Sequence, residues 1–192
     1  MKSEIFPYKR IVIVGTTGSG KSTLGKNIEE KLDIPHIELD ALHWDPGWQE
    51  APTEVMRERV QKAISAESWA VDGNYGVVRD LSWARAEVVI WLDYPLHINF
   101  LRLFIRTIRR AITQEVIWNG NREPFLPHLK LWSPESLFHW LFKTYWRRKR
   151  EYPALLALPE YEHLDLVRFK SPKETENWLK NLQVEISLDF PQ

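Results

Sequence analysis

Short apolar runs alternate along this chain with stretches of helical period. Residues 10–14 (RIVIV) are β-branched, too short for a helix and followed by glycines, the pattern of a parallel strand buried on both faces. Residues 21–32 place Leu24, Ile28 and Leu32 at i, i+4 and i+8, which predicts a helix that ends before Pro35. Residues 36–39 predict a second strand, and Thr53 caps a predicted helix bearing Val55, Val60, Ala63 and Ile64. Residues 69–72 (WAVD), 87–93 (EVVIWLD) and 164–169 predict three more strands, and 172–182 a last helix with Pro172 at its start. Two helices, 96–112 and 135–150, flank an irregular segment marked by Asn119, Gly120, Asn121, Pro124, Pro127 and Pro134. Strands alternating with helices predict an α/β, doubly wound parallel sheet, with its ligand beyond the carboxyl ends of the strands. Sites are therefore expected just after residues 14, 39, 72 and 93 of one domain covering 1–192.

The chain has 192 residues, 44% hydrophobic and 27% charged, a mixture that supports one globular core. Its 26 basic and 26 acidic residues cancel, so the molecule as a whole exerts no bulk pull on nucleic acid or anionic lipid. The distribution is uneven: residues 97–150 carry 11 Lys or Arg against 3 Glu, a net of +8 that leaves the rest at −8. The same stretch holds Trp118, Phe125, Trp132, Phe138, Trp140, Phe142, Tyr145 and Trp146, so it reads as a basic aromatic insertion in an acidic body. The absence of cysteine excludes disulfides, thiolate metal sites and a cysteine nucleophile, and a reducing compartment is expected. No run approaches the ~18 apolar residues that cross a bilayer, and the first ten residues lack a signal-peptide core. The expectation is a cytoplasmic protein with no membrane partner.

Gly15-Thr16-Thr17-Gly18-Ser19-Gly20-Lys21-Ser22 is a complete G-x-x-x-x-G-K-[ST] motif, with the strand before it and the helix after it that the motif requires. Glycines let the backbone turn its amide hydrogens inward around a phosphate, and the helix start at Lys21 adds unpaired amides and a positive dipole end. Lys21 neutralises β and γ oxygens, and Ser22 offers its hydroxyl to Mg²⁺. ATP and Mg²⁺ are the expected cofactors, with residues 15–23, Thr23 included, as the ATP-binding segment.

The order of elements, with an Arg-rich helical insertion after the fourth strand, resembles the adenylate-kinase-like nucleotide and small-molecule kinases over nearly the whole chain. The strings LDALHWDPGW (39–48), DGNY (72–75) and WLDYP (91–95) resemble the bacterial topology modulation proteins, which are adenylate-kinase-like in sequence. The resemblance implies a three-layer P-loop NTPase fold, a five-stranded parallel sheet of order 2-3-1-4-5, and residues 97–150 as a helical lid. It implies an ATP-dependent phosphotransferase acting with Mg²⁺ on a nucleotide or small hydroxyl acceptor. The competing reading is an ATP-dependent nucleic-acid-binding regulator of DNA topology, which the overall neutrality does not favour.

Asp72 stands where phosphate-loop enzymes place an acid that holds Mg²⁺ with Ser22; a turn cap is the alternative. Adenylate kinases continue Asp-Gly with Phe-Pro-Arg, whereas this chain has Asn74-Tyr75-Gly76 and its next arginine at Arg79, so Asn74, Tyr75 and Arg79 are candidate substrate contacts. Their monophosphate-binding arginine is replaced by Asp40-Ala41-Leu42-His43-Trp44, which argues against AMP as acceptor. Kinases resembling shikimate kinase use an aspartate at the Asp40 position for an acceptor hydroxyl or the metal; here too a turn role stays open. Trp44 and Trp48 read equally as a stacking wall or as small-core anchors, and His43 as a packed histidine. Arg102, Arg106, Arg109 and Arg110 share one helical face. Arg102 and Arg106 match the Arg-x-x-x-Arg opening of such lids, which implies one arginine over the base and one on the transferring phosphoryl, the alternative being a solvated face. Arg147-Arg148-Lys149-Arg150 is a second basic group that closes from the other side or is simply solvated.

Overall fold

A computed structural model describes residues 6–123 and 136–182. Five strands, β1 (Arg10–Gly15), β2 (His36–Glu38), β3 (Trp69–Asp72), β4 (Val88–Leu92) and β5 (Asp165–Phe169), pair in parallel in the order β2-β3-β1-β4-β5. This is the order that the resemblance implied. Helices α1 (Lys21–Leu32), α2 (Leu39–His43), α3 (Thr53–Ala63), α4 (Arg79–Arg85), α5 (Leu96–Thr113), α6 (Leu137–Leu156) and α7 (Pro172–Asn181) complete the α/β arrangement.

The unbroken apolar runs of β1 and β4 follow from burial on both faces. Ile11 and Ile13 pack with Leu24 and Ile28 of α1 and with Trp178 and Leu179 of α7. Val12 and Val14 face the opposite layer, with Met56 and Val60 of α3, Trp83 of α4 and Tyr152 of α6. Three layers result, and every parallel strand delivers its carboxyl end to one edge.

Several boundaries differ from the sequence reading. β2 stops at Glu38, and Leu39 opens α2 because its side chain is drawn into the core. Thr53 is the first helical residue of α3, with Pro52 in the capping position. Leu164 lies in a turn, its amide bonded to the Tyr161 carbonyl, so β5 begins at Asp165 opposite Val88. The sequence reading missed α4, which is too short to display a period. It also missed two hairpins, Trp44–Asp45 with Gln49–Glu50 and Val116–Ile117 with Asn121–Arg122, whose strands are two residues long. α6 runs past its expected end and through Pro153, because Tyr152, Leu155 and Leu156 pack on the core. Phe125, Trp132, Glu135 and the prolines at 124, 127 and 134 lie outside the described residues.

Aromatic packing joins the two long helices of the insertion, as expected in a segment without cysteines. Leu103, Phe138 and Leu141 are buried together, and the Phe100 ring lies 5.3 Å from Phe138 and 6.0 Å from Phe142. No described helix is long and apolar enough to cross a membrane.

The first turns of α5 rest directly on the phosphate loop. A Cβ on Gly18 would lie 2.3 Å from the Asn99 carbonyl oxygen and 3.0 Å from Leu103 Cβ, and Gly18 has φ +80. Gly47, at φ +76, has nothing within 4 Å of the same position. Gly18→Ala therefore adds a backbone clash to the left-handed strain, and should lower stability by about 2–4 kcal/mol. Gly47→Ala should cost only about 1–2 kcal/mol, from strain alone. Urea unfolding of both variants checks the difference; equal losses would show that α5 does not constrain the loop.

Candidate active site

The carboxyl ends of β1, β2 and β3 bring the phosphate loop, Asp40 and Asp72 to one edge of the sheet. Gly20, at φ 93, is the left-handed N-cap of α1, so the helix begins at Lys21 with its first amides free of side-chain caps. Burial holds the Lys21 ammonium below the ordinary lysine range, opposed by the charges of Asp72 and Asp40, while Arg148 and Arg106 add to the lowering. The charges of two carboxylates and two arginines thus bear on the Lys21 ammonium. Ser22 is half-buried, whereas Thr23, included in the expected ATP-binding segment, is exposed.

Each carboxylate has its own partner. Tyr75 donates its hydroxyl to Asp40 Oδ1 at 2.5 Å. Burial raises the Asp40 pKa, and the tyrosine hydrogen bond and the Lys21 charge pull it back. Burial beside Asp40 pushes the Tyr75 hydroxyl up in turn. Asp72, 2% exposed, meets His36 Nε2 at 2.8 Å. Among the described residues no group of three or more His, Asp or Glu could cage a metal ion. The Ser22 hydroxyl and Asp72, with Asp40 and Glu38 nearby at the edge, fit Mg²⁺, which is held by one or two side chains together with phosphates and water.

Three expected substrate contacts each have a partner within the protein. Asn74 donates Nδ2 to the Gly15 carbonyl at 2.8 Å, and its Oδ1 accepts from Tyr152 at 2.5 Å, so it ties β3 to the start of the phosphate loop. The Tyr152 hydroxyl is pushed up to about 12 by burial. Arg79 reaches Glu151 at 3.1 Å and lies over the Trp83 ring. Tyr75 is in the site, but its hydroxyl serves Asp40.

The tryptophans pack on one another. Trp48 packs edge-on against Trp44 at 5.5 Å and against Trp118 at 6.2 Å, and His43 lies between Trp44 and Tyr75. Asn119 donates to the carbonyls of Ala41 and Trp44, Asn121 donates to the Asp45 carbonyl, and Trp118 donates to Glu38 at 2.9 Å. The hairpin of the insertion is thereby clamped onto the segment that carries Asp40.

The basic face divides. Arg102 lies over the Tyr94 ring and against Gly20. Arg106 Nε is buried without a hydrogen-bond partner among the described residues, and burial lowers its pKa. Arg110 is paired with Glu123 at 2.7 Å, and Arg109 is exposed, so only the first two of the four approach the site. In the second group Arg148 alone is buried; Arg147 faces Glu151, Lys149 reaches Asp93 at 3.3 Å and Arg150 is exposed. The sequence reading did not single out Arg148, yet a signal was available. Phe138, Leu141, Tyr145, Arg148 and Tyr152 recur at three and four residues, which puts Arg148 on the buried stripe of α6. Glu38 and His36 were also missed, because a strand of three residues has no period to read.

No family model matches the chain. A shikimate kinase of Caldicellulosiruptor bescii is 30% identical over 132 residues, which cover 59% of this chain and 72% of that protein. A shikimate kinase of Synechococcus elongatus is 24% identical over 141 residues, 60% of this chain and 72% of that protein. Among solved structures, a shikimate kinase from Bacteroides thetaiotaomicron has the same fold, with a TM-score of 0.51 at 18% identity over 90% of this chain and 95% of that one.

The Asp40–Tyr75 contact makes a direct prediction. Since the tyrosine hydroxyl lowers the Asp40 pKa against the effect of burial, Tyr75→Phe should move it further up. A carboxyl ¹³C NMR titration of the two proteins reads this, and an unchanged or lowered value would show that the hydrogen bond does not stabilise the ionised form.

Proposed function

The chain belongs to the shikimate kinase family of P-loop kinases, and from that premise we propose that it moves the γ-phosphoryl group of ATP to a hydroxyl of a small, negatively charged acceptor. The observation that carries this reading is the partly buried cluster in which Asp40, held by Tyr75, feels the charges of Lys21, Arg106 and Arg148. A carboxylate alone would repel an anionic acceptor. With three cations around it, the same carboxylate accepts a proton from an acceptor hydroxyl while Arg148 holds the acceptor's negative group.

In this reading the acceptor oxygen bonds to the γ-phosphorus as its proton passes to Asp40, and the bond from that phosphorus to the β-bridging oxygen breaks. Lys21 and the loop amides neutralise the phosphate oxygens, and Arg102 and Arg106 meet the charge on the transferring group. Ser22 and Asp72 would hold Mg²⁺, which supplies further charge neutralisation on the phosphates when bound. Closing α5 and α6 over the loop excludes water, so that the nucleophile is the acceptor hydroxyl. The adenylate-kinase-like alternative has less support, because the acceptor segment carries Asp40 where a monophosphate needs an arginine. Nucleic-acid binding through the insertion has less support as well: Arg106 and Arg148 turn inward and Arg110 is paired with Glu123, so that among the described residues of the insertion Arg109, Arg122, Lys143, Arg147 and Arg150 are the exposed cations.

ADP release measured with a panel of hydroxy acids, neutral polyols and nucleoside monophosphates tests the reading. Hydroxy acids should stimulate turnover, and failure of every one of them to exceed the acceptor-free rate would overturn it. Asp40→Asn should lower kcat/KM by about 10²–10⁴ while nucleotide binding is kept. Arg106→Ala should lower kcat by ~10²–10³ with a smaller change in ATP affinity. Were Arg106 instead a contact to nucleic-acid phosphate, its loss would reduce the salt slope of DNA binding by ~1 and leave turnover near normal.

A further inference from the structure

Beside the phosphate loop, one buried ring is built into a place where helix, strand and carboxylate all have to make room for it. The His36 side chain is 3% exposed and that of Asp72 2%, and Nε2 of the first lies 2.8 Å from Oδ2 of the second. The two residues come from neighbouring strands: His36 is registered with Ala70, and Asp72 lies two residues further along on the same face. That face is the one covered by α1. A Cβ on Gly25 would lie 2.2 Å from His36 Nε2 and 2.3 Å from Cδ2, so the imidazole occupies space that any larger residue at position 25 would fill. Gly25 is one helical turn beyond Lys21 and Ser22. The small side chains of Gly25 and Ala70 therefore form a slot whose contents bridge the phosphate-loop helix to Asp72. Among the described residues, His36 makes the only side-chain hydrogen bond to the Asp72 carboxylate.

We propose that His36 is a positioning residue that donates its Nε2 hydrogen to Asp72 and aims the carboxylate at the ion held with Ser22, an inference that rests on the reading of Asp72 as a metal-holding acid. A carboxylate with one fixed donor on Oδ2 cannot rotate freely, and the ring that fixes it is itself wedged between α1 and β3. Outer partners of this kind typically change metal affinity ten- to hundredfold when removed. A purely structural histidine would satisfy the buried carboxylate and affect metal and nucleotide alike.

The test uses Mn²⁺ as a spectroscopic probe, titrated onto the full-length protein saturated with ADP, beside calorimetric binding of metal-free ADP. His36→Phe keeps the ring and removes the donor. It should weaken Mn²⁺ by about tenfold or more, with metal-free ADP binding within about twofold of wild type. His36→Gln, whose amide nitrogen reaches a similar position, should recover most of the loss. Unchanged Mn²⁺ affinity in His36→Phe, an equal loss of Mn²⁺ and ADP, or a folded His36→Gln no better than the phenylalanine variant would each overturn the proposal. Should the phenylalanine variant not fold, ¹⁵N NMR of the wild type at neutral pH decides: the proton must reside on Nε2, and a bare Nε2 with the proton on Nδ1 overturns it. These readouts need no acceptor. A kinase reading that fails on the acceptor panel while Mn²⁺ responds as expected is thereby told apart from a failure of the His36 role.

Discussion

A lysine ammonium withdrawn from water has to be answered by negative charge, and much of this molecule is arranged around that requirement at Lys21. The answering groups are Asp72, which is buried, and Asp40, which is partly buried, and each requires its own partner. His36 meets the first and Tyr75 the second. Asn74, between Asp72 and Tyr75 in sequence, binds the Gly15 carbonyl and receives the Tyr152 hydroxyl. The carboxylates whose charge bears on this ammonium, and the residue between them, are thus tied by short polar contacts to β2, the phosphate loop and α6. Removing any one partner leaves a buried group unsatisfied, which is more costly than the contact itself is stabilising.

The insertion is bound to the same centre by a different kind of contact. Its helices are held to each other by phenylalanine rings, and its hairpin is held to the Asp40 segment by asparagine amides on backbone carbonyls and by the edge-on series Trp44, Trp48, Trp118. Backbone carbonyls as acceptors make this clamp insensitive to the side chains beneath it. Asp93 adds a third tie, pairing with Lys149 of α6 and with Arg168 of β5 at 2.5 Å, so that the base of α6 is fixed to the sheet edge. The described part of the insertion is thus attached by ion pairs at α6, by aromatic contacts between its helices and by hydrogen bonds at its hairpin. These attachments set Arg102, Arg106 and Arg148 around the loop from two helices.

The five parallel strands, their order through resemblance, the phosphate loop with its helix and the position of Asp72 at the end of β3 were all legible in the amino-acid sequence, whereas Asp40, read as ending the second strand, lies in the first turn of α2. The physical reason is that these features are local. A buried strand must be apolar throughout, a phosphate loop must have glycines where its backbone turns, and a residue at the carboxyl end of a parallel strand is placed at the ligand edge by topology alone. What only the tertiary structure decided is which polar side chains face that edge and which are engaged with one another. Asn74 and Arg79 sit close in sequence to Asp72, yet one is turned to the Gly15 backbone and the other to Glu151 across more than seventy residues of chain. Arg148 sits in a run of four cations that composition cannot rank, and packing of α6 chooses it by burying its stripe alone. His36 lies on a strand too short to show a period, and its partner was settled by an absent side chain at Gly25, fixed only when α1 came down on the sheet.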